Sequence, residues 1–144
     1  MKEKKQSKDW YIAATHWLTS GFAIPFLMTL IIGIPLVILI GEKNIIPLVI
    51  ASQIVYFFSI WLGIIYSSKY ITKTYIVNDK DKIANLSTIY LIVLGGGFRI
   101  YNLLTKGMDI EFIINACGFV VVVLIFHILS KKYLRNTESK TSVI

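Results

Sequence analysis

Four long stretches of this chain carry almost no formal charge, and they limit the fold more than any other feature. Asp9 and Glu42 enclose thirty-two uncharged residues, with an almost unbroken apolar core over 17–40. Lys43 and Lys69 enclose a second run centred on 45–66; residues 83–104 form a third, interrupted only by Arg99, and 112–130 a fourth. A helix needs about 20 apolar residues to cross the hydrocarbon layer, and each run is close to or above that length. A transmembrane barrel would instead show short alternating segments. The pattern predicts an all-α membrane protein, with spans at about 12–40, 45–67, 83–104 and 110–130 and a cytoplasmic loop over 68–82.

Composition supports this solvent choice. The 144 residues are 56% hydrophobic and 16% charged, and mean hydropathy is +0.69. A soluble domain of this size exposes much of its chain, and so few charges cannot cover that surface. The first run follows a Lys-rich start, as a secretion signal would. Its apolar core far exceeds the ~7–15 residues of a signal peptide, so it is expected to remain in the mature chain.

Lys and Arg set the expected orientation. Twelve of them lie in the N-terminal arm (Lys2, Lys4, Lys5, Lys8), the middle loop (Lys69, Lys73, Lys80, Lys82) and the tail (Lys131, Lys132, Arg135, Lys140); the other two loops hold only Lys43 and Lys106. Short loops with this bias place both termini and the middle loop in the cytoplasm. The net charge of +7 follows from that topology and from attraction to anionic headgroups, without a nucleic-acid partner. Gly41 reads as a helix C-cap, and Asn44, Asp81 and Asp109 read as N-caps of the following helices. The outer loops are then tight, which predicts antiparallel neighbours and an up-down-up-down bundle. The middle loop, through Tyr70, Ile71 and Tyr75, is expected either to extend the second helix or to lie on the headgroups. Trp10, Tyr11, Trp17, Tyr66, Tyr70 and Tyr133 fall near the inner boundary and read as an aromatic belt.

Arg99 is the one charge inside a span. Such a residue costs roughly 2.5–3.5 kcal/mol at mid-bilayer on insertion scales, although it lies about 7.5 Å from the outer boundary and can snorkel there. Thr88, Ile92, Gly95, Arg99 and Asn102 share one helical stripe, and Glu111, Asn115 and Gly118 form a matching stripe on the fourth span. A polar cluster of Arg99, Asn102, Glu111 and Asn115 is expected in the outer leaflet. In one reading Glu111 or Asp109 neutralises Arg99 and the cluster only fixes helix packing; in the other, Arg99 keeps donors free for an anion or a polar headgroup. The first is the expected one, because such networks are often structural.

Gly95, Gly96 and Gly97 are read as a small-residue contact between helices, with Gly118 opposite, and a hinge as the less common alternative. Gly21 with Pro25 and Gly33 with Pro35 predict local distortion of the first helix. Ser52, Gln53, Tyr56, Ser59 and Gly63 on the second are read as packing glue, or equally as the lining of a narrow polar path through the bundle, with no acidic residue in it to carry protons. His16 and His127, near the inner boundary, could hold a metal or haem between them, but without further ligands they are read as interfacial hydrogen-bonding groups. Cys117 is alone and is read as a small hydrophobe. No cofactor is expected.

No His-Glu-x-x-His, Gly-x-Ser-x-Gly or Cys-x-x-Cys occurs. The chain also lacks the acidic first-span residue of small multidrug transporters and the paired cysteines of quinone-linked disulfide reductases. The expected role is a non-enzymatic accessory, immunity-type or assembly subunit acting through lipid, homo-oligomer or membrane-protein contacts. The alternatives are an oligomeric solute or ion carrier with its site around Arg99 and, more weakly, a redox subunit using His16 and His127.

Overall fold

A computed structural model describes residues 4–41 and 45–137. Lys2, Lys43, Asn44 and Lys140 lie outside the described residues, so the cap expected at Asn44 does too. The described residues form four long helices and no strand: α1 (Asp9–Ile40), α2 (Ile45–Thr74), α3 (Lys80–Lys106) and α4 (Ile110–Tyr133). Each is long and apolar enough to cross a membrane.

α1 is not a uniform α-helix. It widens to π geometry over Leu18–Ala23 and Thr29–Gly33, immediately before Ile24-Pro25 and Ile34-Pro35. A proline has no N–H to give and its ring presses on the carbonyl one turn back, so a wider turn there makes room. Hydroxyls take up nearby carbonyls: Ser20 Oγ donates to His16 O and Thr29 Oγ1 to Pro25 O, at 2.5 and 2.8 Å. The first π stretch also meets α2 closely. A Cβ on Gly63 would stand 2.8 Å from the Ser20 Cα and carbonyl oxygen, so only glycine permits this approach.

α2 runs seven residues beyond the expected boundary at 67, past Lys69 and Lys73, because its buried stripe of Ile60, Ile64, Ser67 and Ile71 continues at helical spacing. The middle loop thus shrinks to 75–79, and it is clamped by the chain ends rather than laid on a surface. Lys5 N donates to Thr74 O (2.8 Å) and Ile76 N to Lys5 O (3.0 Å), while Thr137 N donates to Val77 O (2.7 Å) and Lys80 N to Asn136 Oδ1 (2.8 Å). Beneath the clamp Ile12, Ala13, Ile71, Val77, Ile83, Ala84 and Leu134 form a fully buried cluster.

The N-cap of α3 is Asp79, not Asp81: its carboxylate accepts from the amides of Asp81 and Lys82, both at 3.0 Å. Asp81 lies in the first turn, where the helix dipole favours it. Asp109 caps α4 as expected, accepting from Phe112 N at 2.6 Å, and Gly41 and Gly107 end their helices at positive φ.

α2 and α3 each pack on both α1 and α4, so these consecutive helices lie across the bundle from one another. A second cluster, Ile60, Ile64, Leu91, Phe119, Val122 and Phe126, fills the middle. Trp17 turns inward against Tyr90 instead of joining an aromatic belt, whereas Trp10, Tyr66 and Tyr70 are exposed. More than two dozen Ile, Leu, Val and Phe side chains are exposed along the four helices, as an apolar surrounding would require.

Candidate functional site

The last turns of α3 and the first turns of α4 and α2 leave a cavity of about 590 Å³ between them. Arg99, Asn102, Glu111 and Asn115, expected to cluster, all line it. Ser52, Gln53 and Tyr56 from α2 and Thr29 from α1 complete the polar wall.

Arg99 is half-buried and is held from behind. Its Nη1 donates to Gly95 O at 3.1 Å, and its guanidinium carbon lies 3.9 Å from the centroid of the Phe119 ring, a stacking that suits a weakly hydrated planar cation. Phe119 can take that place because Gly95 has no side chain: a Cβ there would stand 2.8 Å from the ring. Gly96 approaches the same ring only at 3.9 Å, and Gly97 has nothing within 4 Å. The glycine triplet is therefore one tight contact followed by open surface, rather than a continuous packing patch.

The expected ion pair between Arg99 and Glu111 or Asp109 does not form. The ion pair among the described residues is Asp9 with Lys82, at 2.8 Å. Asp109 spends its carboxylate on the α4 cap, and Glu111, in the exposed first turn, stays on the rim while Phe119 and Gly95 draw the guanidinium inward. Arg99 Nε is buried without a hydrogen-bond partner among the described residues. Gln53 Nε2 donates to Asn115 Oδ1 at 2.6 Å, and Gln53 Oε1 is likewise buried and partnerless. Gly118 makes room for that amide, since its Cβ would stand 2.5 Å from Oε1. The walls thus hold a desolvated donor and a desolvated acceptor. Burying such groups unpaired costs about 1–3 kcal/mol each.

Ser52, Gln53 and Tyr56 share the face whose i, i+4 spacing suggests either packing glue or the lining of a polar path; Gln53 joins α2 to α4, and all three line the cavity. Phe119 carried no signal, because one aromatic in an apolar run is unremarkable.

The histidines are not brought together by any shared contact. His16 is fully buried, with Nδ1 2.7 Å from Ser67 Oγ and Nε2 3.0 Å from Ser130 Oγ, so both ring nitrogens are engaged in joining α1 to α2 and α4. His127 Nδ1 lies 3.2 Å from Thr88 Oγ1, whose proton goes to Ala84 O. Cys117 is exposed on the outside of α4. No protein-family model, curated protein or solved structure matches this chain.

Proposed function

We propose that the chain is a small membrane-embedded binding protein, of the carrier kind, that takes the anionic group of a polar solute at Arg99. One observation carries this reading: Arg99 faces a polar cavity without a carboxylate partner among the described residues, and its Nε has no hydrogen bond there. An arginine kept only for packing would be expected to pair, because an uncompensated charge near the hydrocarbon is costly. The cavity volume lies within the roughly 300–1,000 Å³ usual for small-molecule sites. Arg99 and Lys106 together match the charge of Asp109 and Glu111 on the same wall, so a zwitterion is not repelled.

The reading takes the four helices as an up-down-up-down bundle with both ends cytoplasmic. Contacts at the two ends support alternating direction: His16 near the start of α1 meets Ser67 and Ser130 near the ends of α2 and α4, and Arg99 late in α3 meets Phe119 early in α4. The positive-inside bias then sets the Arg99 cavity toward the outer leaflet.

The test is thermal unfolding in mild detergent with a panel of small carboxylates, phosphates and amino acids. A ligand at ten times its Kd stabilises by about 1.4 kcal/mol, and Arg99→Gln should abolish that gain while leaving the apo protein folded. If Arg99→Gln unfolds early and Glu111→Gln rescues it, the residue is a packing partner and the carrier reading fails. A second reading, an accessory or assembly subunit, is favoured by the outer part of α1, where Thr29–Ile40 contains no buried residue and offers a helix face to lipid or to another membrane protein. It would be preferred if no solute stabilises the protein and it purifies with a stoichiometric partner.

A further inference from the structure

At the end of the bundle opposite Arg99 lies a larger cleft, about 980 Å³, whose charged wall is entirely cationic. Lys69 and Lys73 project from successive turns of α2, Lys4 comes from the N-terminal arm, and Arg135 from the segment after α4. No carboxylate lines it among the described residues. The cations are brought in from three parts of the chain and are held there by their neighbours: Lys5, next to Lys4, is bonded to Thr74 and Ile76, and Asn136, next to Arg135, accepts from Lys80 N, with Thr137 bonded to Val77 beyond it. Gathering four like charges is unfavourable unless an anion joins them.

An independent observation points the same way. Ser68 lines the cleft, is only 2% exposed, and its hydroxyl has no hydrogen-bond partner among the described residues. It could have bonded its own helix, as Thr72 does by donating to Ser68 O at 2.7 Å, yet it does not. Ile65 and Tyr133 give the lining an apolar part.

We propose that this cleft binds a phosphate group, supplied by the headgroup of an anionic lipid, with Lys69, Lys73, Lys4 and Arg135 around the phosphate oxygens and the buried Ser68 hydroxyl turning toward the cleft to donate to one of them. The inference rests on the membrane reading, under which this end meets the inner leaflet, but it does not depend on Arg99. A lipid suits the site better than a free ion because the cleft joins cationic walls to an apolar part beside exposed Tyr66 and Tyr70, where a headgroup and the start of its chains would lie.

The experiment follows thermal unfolding of the full chain in mild detergent, titrated with phosphatidylglycerol, with phosphatidylcholine and, separately, with inorganic phosphate. Phosphatidylglycerol should raise the midpoint saturably and phosphatidylcholine should not. Lys69→Gln with Lys73→Gln should weaken the apparent affinity about thirtyfold, taking roughly fivefold for each membrane-adjacent cation. Lys8→Gln with Lys132→Gln removes the same charge outside the cleft and should change it by less than about threefold. Ser68→Ala should leave the apo protein as stable or more so, while weakening the lipid several-fold. Arg99→Gln should keep the whole response, which separates this site from the outer cavity. Equal losses in the two lysine pairs would reduce the effect to diffuse surface charge and overturn the site. Saturation by millimolar inorganic phosphate, with the same dependence on Lys69 and Lys73, would overturn the lipid source; no response to either would overturn the phosphate site.

Discussion

Adding one methyl group at each of three glycines should separate tight contacts from open surface. Gly97→Ala adds a Cβ that meets nothing within 4 Å, so the change should act through helix propensity alone, a gain of up to about 1 kcal/mol. Gly95→Ala places the same group 2.8 Å from the Phe119 ring, which must move and release the Arg99 guanidinium stacked upon it. Overpacking of this kind costs typically 1–3 kcal/mol, which the propensity gain only partly offsets. Gly63→Ala should be worst, since its Cβ would press on the Ser20 backbone, which has no rotamer to change. Thermal unfolding in one detergent should therefore rank the variants Gly97→Ala, wild type, Gly95→Ala, Gly63→Ala, with several degrees between the extremes. Gly95→Ala should also weaken any anion stabilisation that wild type shows, and Gly97→Ala should not. If Gly97→Ala destabilised as much as Gly95→Ala, the reasoning would be refuted, and the open side of α3 would have to be a contact with another chain or a hinge.

The orientation can be read by labelling: in a Cys117→Ser background, Lys106→Cys should react with an impermeant thiol reagent from outside intact cells and Lys80→Cys should not, and the reverse result would invert the topology. His16→Leu should destabilise by about 1–3 kcal/mol, because it strands the buried Ser130 hydroxyl and leaves Ser67 Oγ only its long bond, 3.4 Å, to the carbonyl of residue 16, and adding Ser67→Ala with Ser130→Ala should recover most of the loss. Failure of that rescue would mean that the imidazole acts through its volume instead.

Hydrogen bonds between helices leave the faintest trace in the sequence. Arg99, Asn102, Glu111 and Asn115 could be grouped because side chains on one helix repeat at 3.6 residues and the short connection at Gly107 aligns α3 with α4. The same reasoning predicted an Arg99 to Glu111 pair, which requires rotamers as well as register. Phe119 and the Gly95 carbonyl hold the guanidinium instead; Phe119 belongs to an apolar background that carries no pattern, and Gly95, though it shares the Arg99 stripe, signals a close helix contact rather than an acceptor. Likewise, the Lys-rich arm, α2 and the tail were legible as cationic segments of one side. Their convergence on a single cleft depends on backbone bonds from Lys5 and Thr137 to the end of α2 and the residues after it, contacts spanning sixty positions or more.

The sequence by itself determined the number of helices, their approximate ends and their fitness for a bilayer. These properties come from summed transfer free energy and from caps such as Asp109 and Gly41, which are local in the chain. Tertiary structure alone decided between the two courses open to the middle segment, extending α2 to Thr74, and decided that α2 and α3 lie across the bundle and that Arg99 is left without a carboxylate among the described residues. Those outcomes depend on which side chains compete for the same few ångströms of space, and periodicity along one helix holds no record of that competition.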